Sequence, residues 1–286
     1  MGIYVLEYGH QLVKRLLKIE RITVKRKAKS CFLPVLIALL CINMVKAQSR
    51  KQNLNIVFIG NSITHGSQLN DPATEAPPVI ASDYLRAQSN IGTVSFSNQG
   101  YSGFTTVDFL PSTKTVFKKT EEAAHAFADQ QALLIFSIKL GTNDSAIQGP
   151  NGSPVSPQDY KQNLKTIADS LLKELPGCII IFQHPIWYSP NTYNGAKYLE
   201  EGLLRLQSYI LQIDGLVTDY GSSCPNRVFV GDTKAFKYFK KHYLTDLKPE
   251  NGHQGVFYLH PNKQGAVALG TFWGKAIYKV VEKVVK

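Results

Sequence analysis

Four short stretches of this sequence carry side chains suited to acyl chemistry. "FIGNSITHG" (58–66) puts Ser62 just after an apolar run and a glycine, a place where a serine can be exposed at the sheet edge with its own N–H free to face a substrate oxygen. "SNQGYSGFTT" (97–106) holds Gly100 and Gly103 close together. Glycines let a backbone approach a ligand closely or adopt positive φ, and free N–H groups in such a loop can hold an oxyanion. "IKLGTNDSA" (138–146) supplies Asn143, whose carboxamide is a neutral donor at every pH. "FYLHPNKQG" (257–265) supplies His260. A serine activated by a histidine, with N–H groups aimed at developing negative charge, is the equipment of covalent ester hydrolysis.

Taken singly, each residue also has an ordinary structural explanation. Ser62 suits a turn or an N-cap, the glycines a flexible turn, Asn143 an Asx-turn and His260 a helix cap. Among the other histidines, His184 follows an apolar run and is the main rival to His260. His65 lies three residues from Ser62, a spacing that rarely aims a ring at the hydroxyl. His10 falls in the N-terminal leader, His125 on an expected helix, and His242 and His253 in expected polar loops.

These residues must be held by something. Apolar, β-branched runs at 54–60, 93–98, 132–141, 178–183 and 227–232 read as strands. Several are apolar at consecutive positions, which suits strands buried on both faces. Helix-like segments lie between and after them, near 77–88, 118–131, 157–175, 196–213 and 262–283. Ser156 followed by Pro157 is an N-cap with proline in the first turn. The last helix is expected to start near Pro261, just after His260, with apolar residues at 266, 267, 269, 272, 273, 276, 277, 280 and 281. Alternation of strand and helix implies an α/β fold: a three-layer α/β/α sandwich on a mostly parallel five-stranded sheet. Ligands in such folds bind beyond the carboxyl ends of the strands, where the four candidate residues fall.

The chain has 286 residues and a formal net charge of +11. Most of that excess lies in residues 1–47, so it does not describe a nucleic-acid-binding surface, and no recognition motif accompanies it. The same segment runs from a basic stretch through the apolar "CFLPVLIALLCINMV" to "VKAQS". This is the layout of a secretory signal peptide, its basic part long enough that translation could begin downstream of Met1. The expectation is an exported protein with one domain over 48–286 and no stable membrane insertion after cleavage; an uncleaved anchor and a lipoprotein at Cys41 are weaker readings. Two cysteines then remain, Cys178 and Cys224, with a single bridge between them left open. No metal-ligand spacing is present, and no cofactor is implied.

Serine, glycine loop, asparagine and histidine in this chain order resemble the SGNH-hydrolase superfamily, the GDSL-type esterases and lipases. "GNSIT", "NQGYSG", "GTND" and "LHPN" match its four blocks and span nearly all of 54–285. The resemblance implies Ser62 as nucleophile, the N–H groups of Ser62 and Gly103 with the Asn143 amide as oxyanion hole, and His260 as base. This sequence departs from the pattern twice. Asn61 stands where the family often has Asp, and Phe257 where it usually has the acid that orients the histidine. Glu250 or Asp246 from the preceding loop, Asp232 after the last expected strand, or a backbone carbonyl could take that place. Expected export, no evident apolar lid and the polar, aromatic-dotted loop "IWYSPNTYNG" (186–195) point to a glycan carrying a small acyl group, and so to a carbohydrate acetylesterase, although the aromatics read equally as packing residues. A lysophospholipase or thioesterase, and a non-catalytic glycan-binding protein on the same fold, are the alternatives.

Overall fold

A computed structural model describes residues 51–285; the expected leader, with Cys31 and Cys41, lies outside the described residues. Strands β1 (Gln52–Gly60), β2 (Ile91–Gly100), β3 (Leu133–Lys139), β4 (Ile179–Phe182) and β5 (Val228–Val230) form one sheet in the order β2-β1-β3-β4-β5. Every neighbouring pair is parallel. The strands read as apolar on consecutive positions because both faces of the sheet are covered. In β1, Leu54, Ile56, Val57, Phe58 and Ile59 are all fully buried. The interrupting Asn55 is buried too, and donates to the Asp129 carbonyl at 2.7 Å.

The helices are α1 (Pro77–Arg86), α2 (Val116–His125), α3 (Pro157–Glu174), α4 (Leu199–Ser223), α5 (Ala235–Asp246) and α6 (Lys263–Val284). The chain leaves β1 toward one edge of the sheet to make β2, and all later strands lie on the other side of β1. Right-handed crossovers therefore put α1 on one face and α2, α3 and α4 on the other. α6 packs on α1, and α3 on α4. The strand order reverses between β1 and β3, and such a switch point opens a crevice at their carboxyl ends.

Three elements differ from the sequence expectation. α2 spans Val116–His125, starting and ending earlier than the expected 118–131. The stretch after it is drawn off the helix by Asp129, which accepts from Asn53 and Asn55 of β1. α4 runs on to Ser223, because Ile213, Leu216 and Tyr220 extend its buried stripe past Gly215. The largest change is at the C-terminal third. α5 occupies residues expected to be loop, and His260, just before the last helix as expected, lies in an antiparallel hairpin of β6 (Leu247–Gly252) and β7 (Gly255–Pro261). α6 begins only at Lys263, with Asn262 Oδ1 accepting from the Gly265 N–H at 3.0 Å. Ala266, Leu269, Trp273, Ile277, Val280 and Val281 are buried as its spacing predicts, while Val267 is exposed. Cys178 and Cys224 are both free thiols. Burial pushes the Cys178 thiol up to about 11, so it stays an unreactive packing group.

Candidate active site

β1 delivers Ser62 by a capped turn. Asn61 Oδ1 accepts from the Ile63 N–H at 3.1 Å, starting a single helical turn, Ser62–His65. Gly66, at φ 86°, closes that turn by donating to the Ser62 carbonyl at 2.9 Å. The turn sits directly on the end of β2, and only glycine fits at position 100: a Cβ there would lie 2.4 Å from the His65 nitrogen. The Ser62 hydroxyl then lies 2.9 Å from His260 Nε2, although the two residues are 198 apart in the chain.

The other ring nitrogen answers the question of the acid. His260 Nδ1 is 2.9 Å from Glu250 Oε1, and the His260 backbone N–H also donates to that oxygen at 3.3 Å. An ionised carboxylate only accepts, so it takes the Nδ1 proton and leaves Nε2 as the acceptor facing Ser62. Glu250 reaches the ring because of a register shift in the hairpin. Glu250 pairs with Phe257 and Pro249 with Tyr258, but Leu247 pairs with Pro261, so Leu259 and His260 together oppose Lys248. In an unbroken ladder, His260 and Phe257 would point to opposite faces. The extra residue brings His260 back to the face that Phe257 shares with Glu250.

The rival acids are engaged elsewhere. Asp246 is buried and accepts from Tyr238 and Thr245 at 2.7 and 2.6 Å. Asp232 accepts from the N–H groups of Lys234 and Ala235, at 3.0 and 2.8 Å, and so caps α5. Burial raises its carboxyl above the usual range, against those hydrogen bonds. His184 pairs through Nε2 with Asp214 at 2.8 Å. His65, His125 and His253 are exposed, and His242, expected in a loop, stacks on Tyr238 within α5.

Gly103 has φ 82°, a conformation L-residues rarely adopt. Among the described residues, no protein acceptor is bonded to the backbone N–H of Ser62 or of Gly103. Asn143 is buried and held from both ends of its amide. Its Oδ1 accepts from the Tyr198 hydroxyl at 2.8 Å, and its Nδ2 donates to the Phe104 carbonyl at 2.9 Å. One Nδ2 hydrogen is left over. Ser62, Gly103, Asn143 and His260 line one cleft of about 560 Å³.

The loop that carries Asn143 rests on buried polar groups that the sequence did not flag. Asp144 accepts from the Thr106 N–H and hydroxyl and from the Gly141 N–H. Burial nevertheless raises it to about 6. Lys139, at the end of β3, is fully buried, donates to Thr142 at 2.9 Å, and is pushed down to about 7 by the same loss of water. In the aromatic loop, Trp187 and Tyr188 are buried packing residues, the second of their two sequence readings, and of that stretch only Asn194 lines the cleft. Among the described residues no group of His, Cys, Asp or Glu is disposed to hold a metal.

The GDSL-like lipase/acylhydrolase family model matches residues 58–268. No curated protein matches the sequence. Solved structures resemble the fold at low identity. The acetylxylan esterase Axe2 of Geobacillus stearothermophilus, solved as a catalytic mutant, is 18% identical with a TM-score of 0.52, over 82% of this chain and 96% of that one. A lipolytic G-D-S-L family protein of Veillonella parvula DSM 2008 is 16% identical at 0.51, over 79% and 98%. A two-domain esterase active on acetylated mannans is 16% identical at 0.51; the match covers 86% of this chain and 52% of that enzyme.

Proposed function

The chain belongs to the GDSL-like lipase/acylhydrolase family, and from that premise we propose that it is an exported serine esterase that removes small acyl groups, acetyl first among them, from carbohydrate. The observation that carries the reading is the continuous relay from Ser62 Oγ through His260 to Glu250, with both hydrogen bonds at 2.9 Å.

His260 Nε2 takes the Ser62 proton as the hydroxyl oxygen attacks the ester carbonyl. The oxyanion is received by the N–H groups of Ser62 and Gly103 and the spare Nδ2 hydrogen of Asn143. Glu250 keeps the ring in the tautomer that can accept, and stabilises the imidazolium that forms. The imidazolium passes its proton to the departing alcohol oxygen as the acyl carbon–oxygen bond breaks, leaving an acyl-serine. Water then attacks that ester, giving its proton to His260, and the carboxylic acid leaves as the Ser62 hydroxyl is restored.

The small acyl group is supported by the lining of the cleft. Polar side chains make up half of it, among them Ser67, Gln68, Ser102, Asp108, Asn151 and Asn194; Phe104, Pro150, Ala196, Tyr198 and Leu259 are its apolar or aromatic members. A long acyl chain would meet these apolar groups only between polar ones, whereas hydroxyl-rich alcohols find many partners. Two of the structural relatives act on acetylated polysaccharides or are acetylxylan esterases by name, which agrees with this choice. Export rests on the N-terminal charge and hydropathy pattern; among the described residues no helix is long and apolar enough to cross a membrane.

The test is Ser62→Ala. It should abolish turnover of an aryl acetate and labelling by a fluorophosphonate, and the wild-type adduct should map to Ser62 by mass spectrometry. Turnover at the wild-type rate in this variant would end the proposal.

A further inference from the structure

The carboxamide of Asn143 can serve an oxyanion only if its nitrogen end faces the cleft. The two ends of an amide have nearly the same shape, so hydrogen bonds alone decide which end points where. Here both assignments are visible. The Phe104 carbonyl takes one Nδ2 hydrogen, and the Tyr198 hydroxyl donates to Oδ1. The two contacts do different things. Phe104 follows Gly103 directly, so its bond ties the two candidate oxyanion donors to each other. Tyr198 lies at the start of α4, so its bond ties that pair to a long helix.

The chain around Tyr198 is built to hold the phenol in place. Leu199, the next residue, has φ 54°, a left-handed conformation strained for a branched side chain. The N–H groups of Tyr198 and Leu199 both bond to the Thr192 carbonyl, at 3.2 and 3.1 Å, which fixes this entry to the helix. The Tyr198 ring is buried and meets Tyr188 edge-on at 5.5 Å between centroids. The Tyr188 hydroxyl lies 3.0 Å from Ser145 Oγ, which in turn donates to the Thr142 carbonyl at 2.7 Å. Tyr198 thus holds Asn143 itself, and Tyr188 holds the loop two residues on, at Ser145. Burial raises the Tyr198 phenol well above the usual range, so it remains a donor at working pH.

We propose that Tyr198 is a positioning residue for ester hydrolysis: its hydroxyl fixes the Asn143 amide so that Nδ2 presents its spare hydrogen to the oxyanion. The inference rests on the serine-esterase reading above. Removing the hydroxyl leaves a buried Oδ1 without its donor, and the amide then samples orientations that no longer serve the transition state.

The experiment compares Tyr198→Phe, Asn143→Ala and the double variant, with p-nitrophenyl acetate as substrate and a trifluoromethyl ketone as a mimic of the tetrahedral intermediate. Tyr198→Phe should lower kcat on the order of 10–100-fold with KM nearly unchanged. Affinity for the ketone should fall in parallel. The double variant should be no slower than Asn143→Ala alone, because the hydroxyl acts only through the amide. Wild-type kcat and ketone affinity in Tyr198→Phe, or losses that multiply in the double variant, would overturn the proposal. A wild-type crystal structure with phosphonate on Ser62 tests it without relying on the fold of a variant. Nδ2 should lie within hydrogen-bond distance of the phosphoryl oxygen while Tyr198 stays on Oδ1, and a reversed amide refutes it. A wild-type protein that neither turns over the acetate nor takes the phosphonate refutes instead the esterase reading beneath.

Discussion

Glu250 and His260 meet at 2.9 Å although Glu250 pairs across the hairpin with Phe257, not with His260. The acid that the family pattern places three residues before the histidine is here supplied from the neighbouring strand, on the same rung. The register shift at Leu259–His260 is what lets one side chain replace the other.

If that carboxylate orients and charges the imidazole, Glu250→Gln should lower kcat for an aryl acetate by about 10²–10⁴ while the protein stays folded, since an amide can accept at Nδ1 but supplies no charge and permits the wrong tautomer. Asp246→Asn and Asp232→Asn should leave kcat within a few fold. Steady-state kinetics on the three variants checks this. A Glu250→Gln enzyme at full speed would return the role to a backbone carbonyl.

Gly103 makes a separate prediction, because there is room for a side chain there but the backbone conformation opposes one. A Cβ at this position would touch nothing within 4 Å, yet φ is 82°. Gly103→Ala should therefore cost only about 1 kcal/mol of stability, from backbone strain. To escape that strain the peptide must turn, and its N–H turns with it. The expected loss in kcat is roughly tenfold or more, with a melting temperature only a few degrees lower. Asn143→Ala, which removes a donor outright, should cost about 10²–10³ in kcat.

How much of this is readable from sequence depends on whether a feature is local. The central strands announce themselves because burial on both faces demands apolar residues at consecutive positions, as in Ile56–Ile59. Ser62, Gly103 and Asn143 are readable because each follows its strand by a few residues, and α/β topology sends all such ends to one crevice. The hairpin is not, since "LKPENG" has proline, charge and glycine where strands usually have β-branched residues. It becomes a strand by pairing with β7, which Asn191 and Ser189 hold at Gln254, Val256 and Tyr258, 63 to 69 residues away. Glu250 can be named as a candidate but not chosen, because the choice rests on a one-residue register shift. Tyr198 leaves a fainter signal: a buried carboxamide oxygen needs a donor, but nothing in the sequence says which hydroxyl comes.

Chain length of the acyl group should separate this cleft from that of a lipase. Each methylene buried against apolar surface gains about 0.8 kcal/mol, so an apolar channel makes kcat/KM climb from acetate to octanoate. Half of the lining residues here are Ser, Asn, Gln or Asp, which interrupt its apolar surface, so the gain per methylene should be small. Across a series of p-nitrophenyl esters, kcat/KM should be highest for acetate and fall by about 100-fold or more by octanoate, allowing for lost fit as well as absent burial. A steady rise with length would favour the lysophospholipase alternative.

The buried Lys139 should be visible in stability against pH. Its amine is pushed from an ordinary 10.5 down to about 7 by loss of water, a cost that the nearby Asp144 only partly offsets. Between those two values the unfolded chain holds a proton on this lysine that the folded protein lacks, so stability rises with pH there, by at most about 1.4 kcal/mol per unit. Asp144 has the opposite sign. Its folded value of about 6 lies above the ordinary 3.8, so its contribution falls as pH rises between them. The pair is therefore most costly near pH 6–7 and relieved on the alkaline side. Urea unfolding of the wild type at about pH 7.5, 8.5 and 9.5 should show the midpoint moving up relative to Lys139→Met, which has no proton to lose. Parallel midpoints in the two proteins would mean that Lys139 keeps its charge in the fold.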